Sequence, residues 1–241
     1  MDDGLTDELS SDDTRRPKVF GIGLNKTGTK TLRRYLTQLG YRHRSYDSNN
    51  TYESHAFDLW SAGKLTELVD LLEDFDSCED WPWPLVFEEL DRRYEDAKFV
   101  LTVRESPDVW YRSLCNMAVR IGPLPLFEAA VYGSGMPHGR KAEHIAIYHN
   151  HIAKVEKHFE SRPGKLLTLC WENGDGPEKL SRFLGVDAIS LTKTHVNRSP
   201  RNVYSGDNRI RAYFARIGYQ KIYGPRSLPK RILQKVKALV T

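Results

Sequence analysis

A short apolar run that leads into a loop rich in glycine and threonine lies near the start of the chain, at residues 19–32 (VFGIGLNKTGTKTL). Its β-branched and aromatic residues predict a strand, and the apolar spacing after Gly28 predicts an amphipathic helix. A helix start presents unpaired backbone N–H groups and the positive end of the helix dipole, and glycine lets an anion approach the backbone. The segment therefore predicts a strand–loop–helix unit that binds phosphate or sulfate within an α/β fold.

The side chains around this loop supply further donors to an anion. Ammonium and hydroxyl groups are the donors that such a site needs. The candidates are Lys26, Thr27, Gly28, Thr29, Lys30 and Thr31. The pattern is not a Walker A motif, because a threonine intervenes between the last glycine and the Lys-Thr pair. Taken alone, the segment could also be an ordinary strand–helix turn.

A second segment, residues 97–113 (AKFVLTVRESPDVWYRS), repeats the strand-to-helix arrangement. Ser106 suits the N-cap position and Pro107 the first helical position, so a helix is expected directly after the strand. Arg104, at the strand's carboxyl end, offers a planar fork of donors to a phosphate, and Ser113 offers a hydroxyl. Two anion-binding segments in this order are poorly explained as ordinary turns.

Together the two segments resemble the sulfotransferase superfamily, in particular its bacterial-type members. In that family a Lys-Thr-Gly-Thr loop binds the 5′-phosphosulfate of 3′-phosphoadenosine 5′-phosphosulfate (PAPS). The resemblance assigns that role to residues 26–31, and it assigns the 3′-phosphate to Arg104 and Ser113. The family's usual spacing between this Arg and Ser is one residue shorter, which places Arg112 at the usual position. Either Ser113 or Arg112 therefore completes the 3′-phosphate site.

Two later segments extend the resemblance. Residues 166–185 are similar to the late strand and helix of bacterial-type members. Trp171 within them matches an aromatic residue that contacts adenine in cytosolic relatives; burial in the core is the alternative for this side chain. Residues 195–199 resemble a closing loop that contacts the nucleotide, which makes Arg198 a further expected ligand.

The resemblance implies transfer of a sulfuryl group from PAPS to a hydroxyl or amine of a small-molecule or carbohydrate acceptor, with no metal required. Lys26 is expected to stabilise the bridging and leaving oxygens. Asp80 is the expected base, since its Asp-Trp-Pro stands where cytosolic relatives carry a catalytic His-x-Pro. Burial or a close carboxylate such as Glu79 would have to raise its pKa. Glu53 and His55 are alternative bases, because some relatives place theirs after the second strand.

Two other functions fit parts of the pattern. A P-loop kinase or nucleotidase using ATP and Mg²⁺ would also bind phosphate at such a loop. The displaced Lys-Thr pair and the absence of an acid at the end of strand 98–103 argue against it. A non-catalytic nucleotide- or polyanion-binding module would use the surplus of basic residues. Binding alone needs no base, so Lys26 together with Asp80 favours an enzyme.

Composition limits the domain organisation and the expected compartment. The acidic residues 1–16 are expected to be disordered, and 17–241 to form one sulfotransferase-like α/β domain. No signal peptide or membrane-length apolar run is visible, and three dispersed cysteines suit reduced thiols, which predicts a cytoplasmic protein. No nucleic-acid partner is expected. A basic amphipathic helix at 229–240 offers a peripheral contact with an anionic membrane, or packs onto the domain.

Alternating strand and helix patterns predict a P-loop-like, mainly parallel sheet with helices on both faces. The strands are expected at 18–23, 75–79, 98–103 and 165–170. The helices are expected at 28–39, around 65–72, after Pro84, and at 107–120, 141–159, 177–184 and 210–217. Residues 41–52 and 121–140 are expected to be loops. His144, His151 and His158 share one helix face, but successive members lie about 10 Å apart along the axis, too far to hold one metal.

Overall fold

The computed structural model describes residues 16–46, 51–121, 126–133 and 135–186. The predictions made for tail residues 1–15, for Arg198 and its loop, and for the helices at 210–217 and 229–240 fall outside these residues. Within the described ranges, none of the helices is both long and apolar enough to cross a bilayer.

The described residues form a five-stranded parallel sheet, which confirms the predicted α/β fold class. The strands are β1 (Val19–Gly21), β2 (His43–Arg44), β3 (Ser77–Cys78), β4 (Lys98–Val103) and β5 (Leu166–Cys170). Their order across the sheet is β2-β3-β1-β4-β5. The chain moves from β1 to one side and later returns to the other, so the strand order reverses between β1 and β4. Open parallel sheets bind ligands at the carboxyl ends of the strands beside such a reversal.

Eight helices are present in the described part of the chain. They are α1 (Thr29–Gln38), α2 (Thr51–Ala62), α3 (Leu65–Asp70), α4 (Phe87–Arg93), α5 (Pro107–Ile121), α6 (Leu126–Tyr132), α7 (Lys141–Phe159) and α8 (Pro177–Leu184). Short 3₁₀ turns lie at Trp83–Leu85 and Trp171–Asn173.

Two segments predicted as loops contain regular structure, and those predictions were wrong. The segment 41–52 holds β2 and the beginning of α2, whose buried Ala56, Leu59 and Trp60 lie beyond the polar stretch. The segment 121–140 contains α6, because its glycines and prolines flank a seven-residue run that has none. The buried side chains of that run gain more from packing than a loop would allow.

The sheet separates two hydrophobic clusters, as the alternation of side chains along its strands requires. Phe99 and Leu101 of β4 face the larger cluster, which includes residues of α2 through α7, whereas Val100 faces the smaller one with α1 and α8. Helices therefore cover both faces of the sheet, which confirms the predicted single-domain architecture.

The three histidines that share a face of α7 each bind a different partner. His144 Nδ1 lies 2.7 Å from the Arg140 carbonyl, and His158 Nε2 lies 2.8 Å from Asp91 Oδ2. Buried His151 lies 2.7 Å from the Ile22 carbonyl through Nε2. Because a carbonyl oxygen only accepts, His151 Nε2 carries the hydrogen, and the bond joins α7 to the chain just after β1.

We expect His151 to contribute to acid sensitivity of folding. Burial lowers the pKa of His151 to about 4, whereas an unfolded histidine titrates near about 6.5. The unfolded state therefore binds more protons in this interval, so stability is lost as pH falls from about 6.5 towards 4. Urea unfolding at pH 7.5 and pH 5 should show that His151→Gln loses less stability on acidification than the wild type, by about 2 kcal/mol at most. The exposed neighbour variant His149→Gln should behave like the wild type; equal acid losses in all three proteins would contradict this assignment.

Candidate active site

The predicted site residues lie at one edge of the sheet because the carboxyl ends of parallel strands meet there. β1 leads into the loop at 22–28, β3 into Glu79 and Asp80, and β4 into Arg104. β5 leads into the turn that begins at Trp171. The topology thus brings together four segments that are far apart in the sequence.

The start of α1 presents an unneutralised anion-binding surface. Gly28 is the N-cap, with φ +97°, and neither a capping side chain nor an acidic residue is present in the first turn. The amides of Thr31 and Leu32 donate to the Gly28 carbonyl. Those of Gly28, Thr29 and Lys30 donate no hydrogen bond within the described residues. Three N–H groups at the positive end of a helix are what a bound phosphate or sulfate group needs.

The interior of the loop is packed directly on β4. A Cβ added to Gly23 would lie 2.2–2.8 Å from atoms of Thr102, so only glycine allows this approach. The buried Thr27 hydroxyl donates to the Leu24 carbonyl at 2.6 Å and lies 2.6 Å from Thr102 Oγ1. The sequence predicts Thr27 as a hydroxyl donor to the anion. Its hydroxyl instead forms these two hydrogen bonds, which fix the shape of the loop.

Trp171 packs against the glycine at the helix start. A Cβ on Gly28 would lie 2.3 Å from Cδ1 of the Trp171 indole. The indole belongs to the smaller hydrophobic cluster, and its ring centroid lies 5.7 Å from that of Tyr35. Core burial, the alternative weighed for Trp171, is thus observed, and it places the ring directly beside the anion-binding loop. Its Nε1 is buried and makes no hydrogen bond within the described residues.

Lys26 adopts a backbone conformation that is uncommon for lysine. Its φ is +69°, in the left-handed region, which costs a non-glycine residue about 1–2 kcal/mol. Arg104 Nη1 donates to the Lys26 carbonyl at 2.9 Å and helps to hold this conformation. Burial, with the charge of Arg120 as a second cause, lowers the pKa of Lys26 to about 8, and Asp80 opposes the shift. At neutral pH the side chain is therefore a partly desolvated cation.

Asp80 lies directly after β3 and is also left-handed, with φ +67°. Its Oδ1 accepts a hydrogen bond from the Trp81 amide at 3.0 Å, and Thr29 Oγ1 donates to Oδ2 at 3.5 Å. Burial raises the pKa of Asp80, while Lys26 and Lys30 oppose the rise. The pKa of Asp80 is therefore raised by burial, as a general base at this position requires.

The adjacent Glu79 is a second acid with a raised pKa. Burial is the main cause, and the charge of Asp80 adds to it. Arg33 and His43 each lie 4.0 Å from Glu79 Oε1. Burial also lowers the pKa of His43 to about 3, so this histidine is neutral and adds no charge to the pair.

The alternative bases lie in a different environment on α2. Glu53 is paired with Arg44 at 3.5 Å, and the Arg44 guanidinium lies 3.5 Å from the centroid of the Tyr52 ring. His55, two residues further along the helix, is exposed. Of the three candidates, Asp80 is the one that interacts with Thr29 and Lys26 of the anion-binding unit.

Arg104 joins the loop to the turn after β5. Besides its bond to the Lys26 carbonyl, its Nε lies 2.5 Å from Glu172 Oε1. Its backbone amide donates to the Tyr148 hydroxyl at 2.9 Å. Ser113 is buried on α5, whereas Arg112 is exposed. The choice between these two as partners of a 3′-phosphate stays a prediction.

Sequence reasoning missed a buried polar cluster next to Lys26. Asn25 Nδ2 donates to Glu128 Oε1 at 3.3 Å, and the Tyr132 hydroxyl donates to Asn25 Oδ1 at 2.6 Å. Glu128 and Tyr132 lie on α6, in the segment predicted as a loop. The available signal was an acid inside the apolar run LFEAAVY, since an acid at a buried position requires a partner.

A comparison with known families identifies the family of this chain. A family model of the sulfotransferase domain matches residues 18–199 of the 241 in the chain. The chain therefore belongs to the sulfotransferase family and is a transferase. A search of curated proteins gives no significant match.

We expect Gly28→Ala to cost more stability than left-handed strain alone explains. Gly174→Ala is the matched control, because Gly174 also has a positive φ (+85°) and nothing lies within 4 Å of a Cβ there. The control should lose about 1–2 kcal/mol of unfolding free energy. Gly28→Ala should lose about 1–3 kcal/mol more, through overlap with Trp171. In a Trp171→Ala background this excess should shrink, as measured by urea denaturation; an undiminished excess would show that the indole is not its cause.

Proposed function

We propose that this protein transfers a sulfuryl group from PAPS to a hydroxyl or amine of a small-molecule or carbohydrate acceptor. The observation that carries the proposal is the 2.9 Å hydrogen bond from Arg104 Nη1 to the Lys26 carbonyl. It holds one anion-binding side chain directly beside another anion-binding unit, at the point where the strand order reverses. PAPS carries phosphate groups on the 3′ and 5′ oxygens of one ribose, so its binding requires two anion-binding units close together.

The residues at this edge fit the donor's chemical groups. The three amides at the start of α1, with Lys26 and Lys30, would hold the 5′-phosphosulfate. Arg104 would hold the 3′-phosphate with Ser113 or Arg112, after exchanging its contact with Glu172. Trp171 lies beside the loop, where its indole would face the adenine side. PAPS itself supplies a sulfuryl group on a good leaving group, the nucleotide phosphate.

Lys26 and Asp80 divide the chemical work. Sulfuryl transfer resembles in-line phosphoryl transfer, in which positioning and charge neutralisation lower the barrier. Lys26, protonated at neutral pH, would meet the negative charge that grows on the departing phosphate. Asp80 would take the proton of the acceptor hydroxyl or amine, and burial makes its carboxylate a stronger base than an exposed one.

Family membership favours sulfuryl transfer over the kinase alternative, and a base beside Lys26 favours an enzyme over a binding module. A cytoplasmic location, the absence of a nucleic-acid partner and membrane contact through residues 229–240 remain proposals from the sequence.

We expect adenosine 3′,5′-bisphosphate to bind without added metal, and Arg104→Gln to weaken it by about 1.5–3 kcal/mol, because a charged hydrogen-bonded contact is lost. Adenosine 5′-monophosphate, which has no 3′-phosphate, should lose much less. Calorimetry measures both ligands on both proteins. Arg93→Gln on α4, whose exposed side chain pairs with Asp70, is the control and should bind as the wild type does. Equal losses of affinity for the two nucleotides would show that Arg104 only holds the loop. Binding of ATP with Mg²⁺, without binding of the bisphosphate, would support the kinase alternative.

Kinetics should separate Lys26 from Asp80. Lys26→Ala should lower kcat about a hundredfold to a thousandfold with a much smaller effect on bisphosphate affinity. Asp80→Asn, in which asparagine tolerates the left-handed backbone, should keep nucleotide affinity, cost about a hundredfold to ten-thousandfold in rate and remove the acidic limb of the pH–rate profile.

Asp76→Asn is the control for Asp80, because Asp76 precedes β3 at the opposite end of the strand and pairs with Arg42. It should leave the rate unchanged. Normal turnover by Asp80→Asn together with an inactive Glu53→Gln would place the base on α2 instead.

A further inference from the structure

The conformation of Lys26 depends on its neighbour Asn25. A lysine with positive φ persists only where the surroundings fix the chain on both sides. Arg104 holds the carbonyl that follows, and the preceding residue, Asn25, is buried. The Trp110 Nε1–H group donates to the Asn25 carbonyl at 2.9 Å. The backbone carbonyls of Asn25 and Lys26 thus accept hydrogen bonds from Trp110 on α5 and from Arg104, which follows β4.

Within the described residues, the Asn25 side chain is hydrogen-bonded to two residues of α6. Its carbonyl oxygen accepts from the Tyr132 hydroxyl, and its amide donates to Glu128 Oε1. Positions 128 and 132 are four residues apart, so both groups project from one face of α6. The two contacts fix which end of the amide faces which partner, because Glu128 Oε1 accepts from the amide nitrogen and the Tyr132 hydroxyl donates to the amide oxygen.

The same helix also contacts the turn that carries Asp80. The Trp81 ring is stacked on Phe127 with centroids 6.5 Å apart and an interplanar angle of 6°, and it meets Tyr132 edge to face at 6.0 Å. α6 therefore touches the residue before Lys26 and the residue after Asp80. A shift of this short helix would move both candidate catalytic residues together.

We propose that Glu128 is a positioning residue for Lys26, acting through the side-chain amide of Asn25. The positional claim stands on the geometry; its consequence for rate rests on the proposed function. The Glu128 carboxyl is buried, and its Oε1 accepts from the Asn25 amide at 3.3 Å. Burial, with the charge of Asp80 as a further cause, raises the pKa of Glu128 to about 8. At neutral pH it thus accepts from Asn25 largely as a neutral acid.

Removal and retention of the acceptor at position 128 test the proposal. Glu128→Leu removes the oxygen that accepts from the Asn25 amide, whereas Glu128→Gln keeps an accepting oxygen at the same place. Because Glu128 is largely a neutral acid at neutral pH, neither substitution adds a charge near Lys26. Val131→Ala, a buried truncation on the same helix, controls for simple destabilisation of α6.

The first readout is the pKa of Lys26, measured by NMR on protein whose lysines are reductively ¹³C-methylated, with the Lys26 signal identified by its absence in Lys26→Arg. Glu128→Leu should move this pKa by at least about half a unit, whereas Glu128→Gln should keep the wild-type value. Val131→Ala should lower Tm and leave the pKa unchanged. This measurement needs neither donor nor acceptor, so it decides the positional claim even if sulfuryl transfer is never observed.

The second readout is the rate with PAPS. Glu128→Leu should lower kcat about tenfold to a hundredfold with little change in KM for the donor, and Glu128→Gln should keep kcat to within about threefold. A folded Glu128→Gln variant with the altered pKa and low kcat of Glu128→Leu would overturn the proposal. So would a Glu128→Leu variant with the wild-type pKa and kcat.

Discussion

The close contact between the loop after β1 and strand β4 determines where the other groups of the site lie. Gly23 allows the loop to approach Thr102, and the hydrogen-bonded pair of Thr27 and Thr102 keeps it there. Arg104 follows β4 by one residue, so the same contact places its guanidinium at the Lys26 carbonyl. A parallel sheet whose strand order reverses at this point supplies the crevice, and the loop contact turns it into two adjoining anion-binding groups.

The structure concentrates backbone strain where the chemistry is expected. Among the described residues, the two with positive φ that are not glycine are Lys26 and Asp80. Each costs stability that neighbouring contacts must offset: Arg104 and Asn25 around Lys26, and the Trp81 amide with Thr29 at Asp80. Strain of this kind persists at sites where a side chain must project in a direction that regular backbone does not permit. It is an independent reason, beyond family resemblance, to single out these two residues.

Local patterns predicted the parts of the fold that local physics determines. β4 and α7 have the predicted bounds, because a buried apolar run predicts the strand and an uninterrupted helical pattern predicts the helix. Lys26 and Arg104 could be proposed because each follows a predicted strand, and Asp80 because its Asp-Trp-Pro matches a position in the family. Asn25 and Glu128 could not be proposed, because the bond between them joins residues that are 103 positions apart. In addition, Glu128 lies on a helix flanked by glycines and prolines, a pattern that predicts a loop. Thr27 shows the converse error, because residue type suggested a ligand where tertiary packing uses the hydroxyl.

The charges at the sheet edge suit a site that becomes active on binding an anion. Without one, burial lowers the pKa of Lys26 to about 8 and raises the pKa of Asp80, so both shifts oppose the charged forms. An anion at the start of α1 would favour the ammonium form of Lys26, because opposite charges stabilise each other across a desolvated site. The same anion would raise the pKa of Asp80 and strengthen it as a base, while protonated Lys26 restrains that rise. Under the proposed function, a donor with a phosphate at this position would therefore favour the cation proposed to stabilise the leaving group and strengthen the base proposed to take the acceptor's proton.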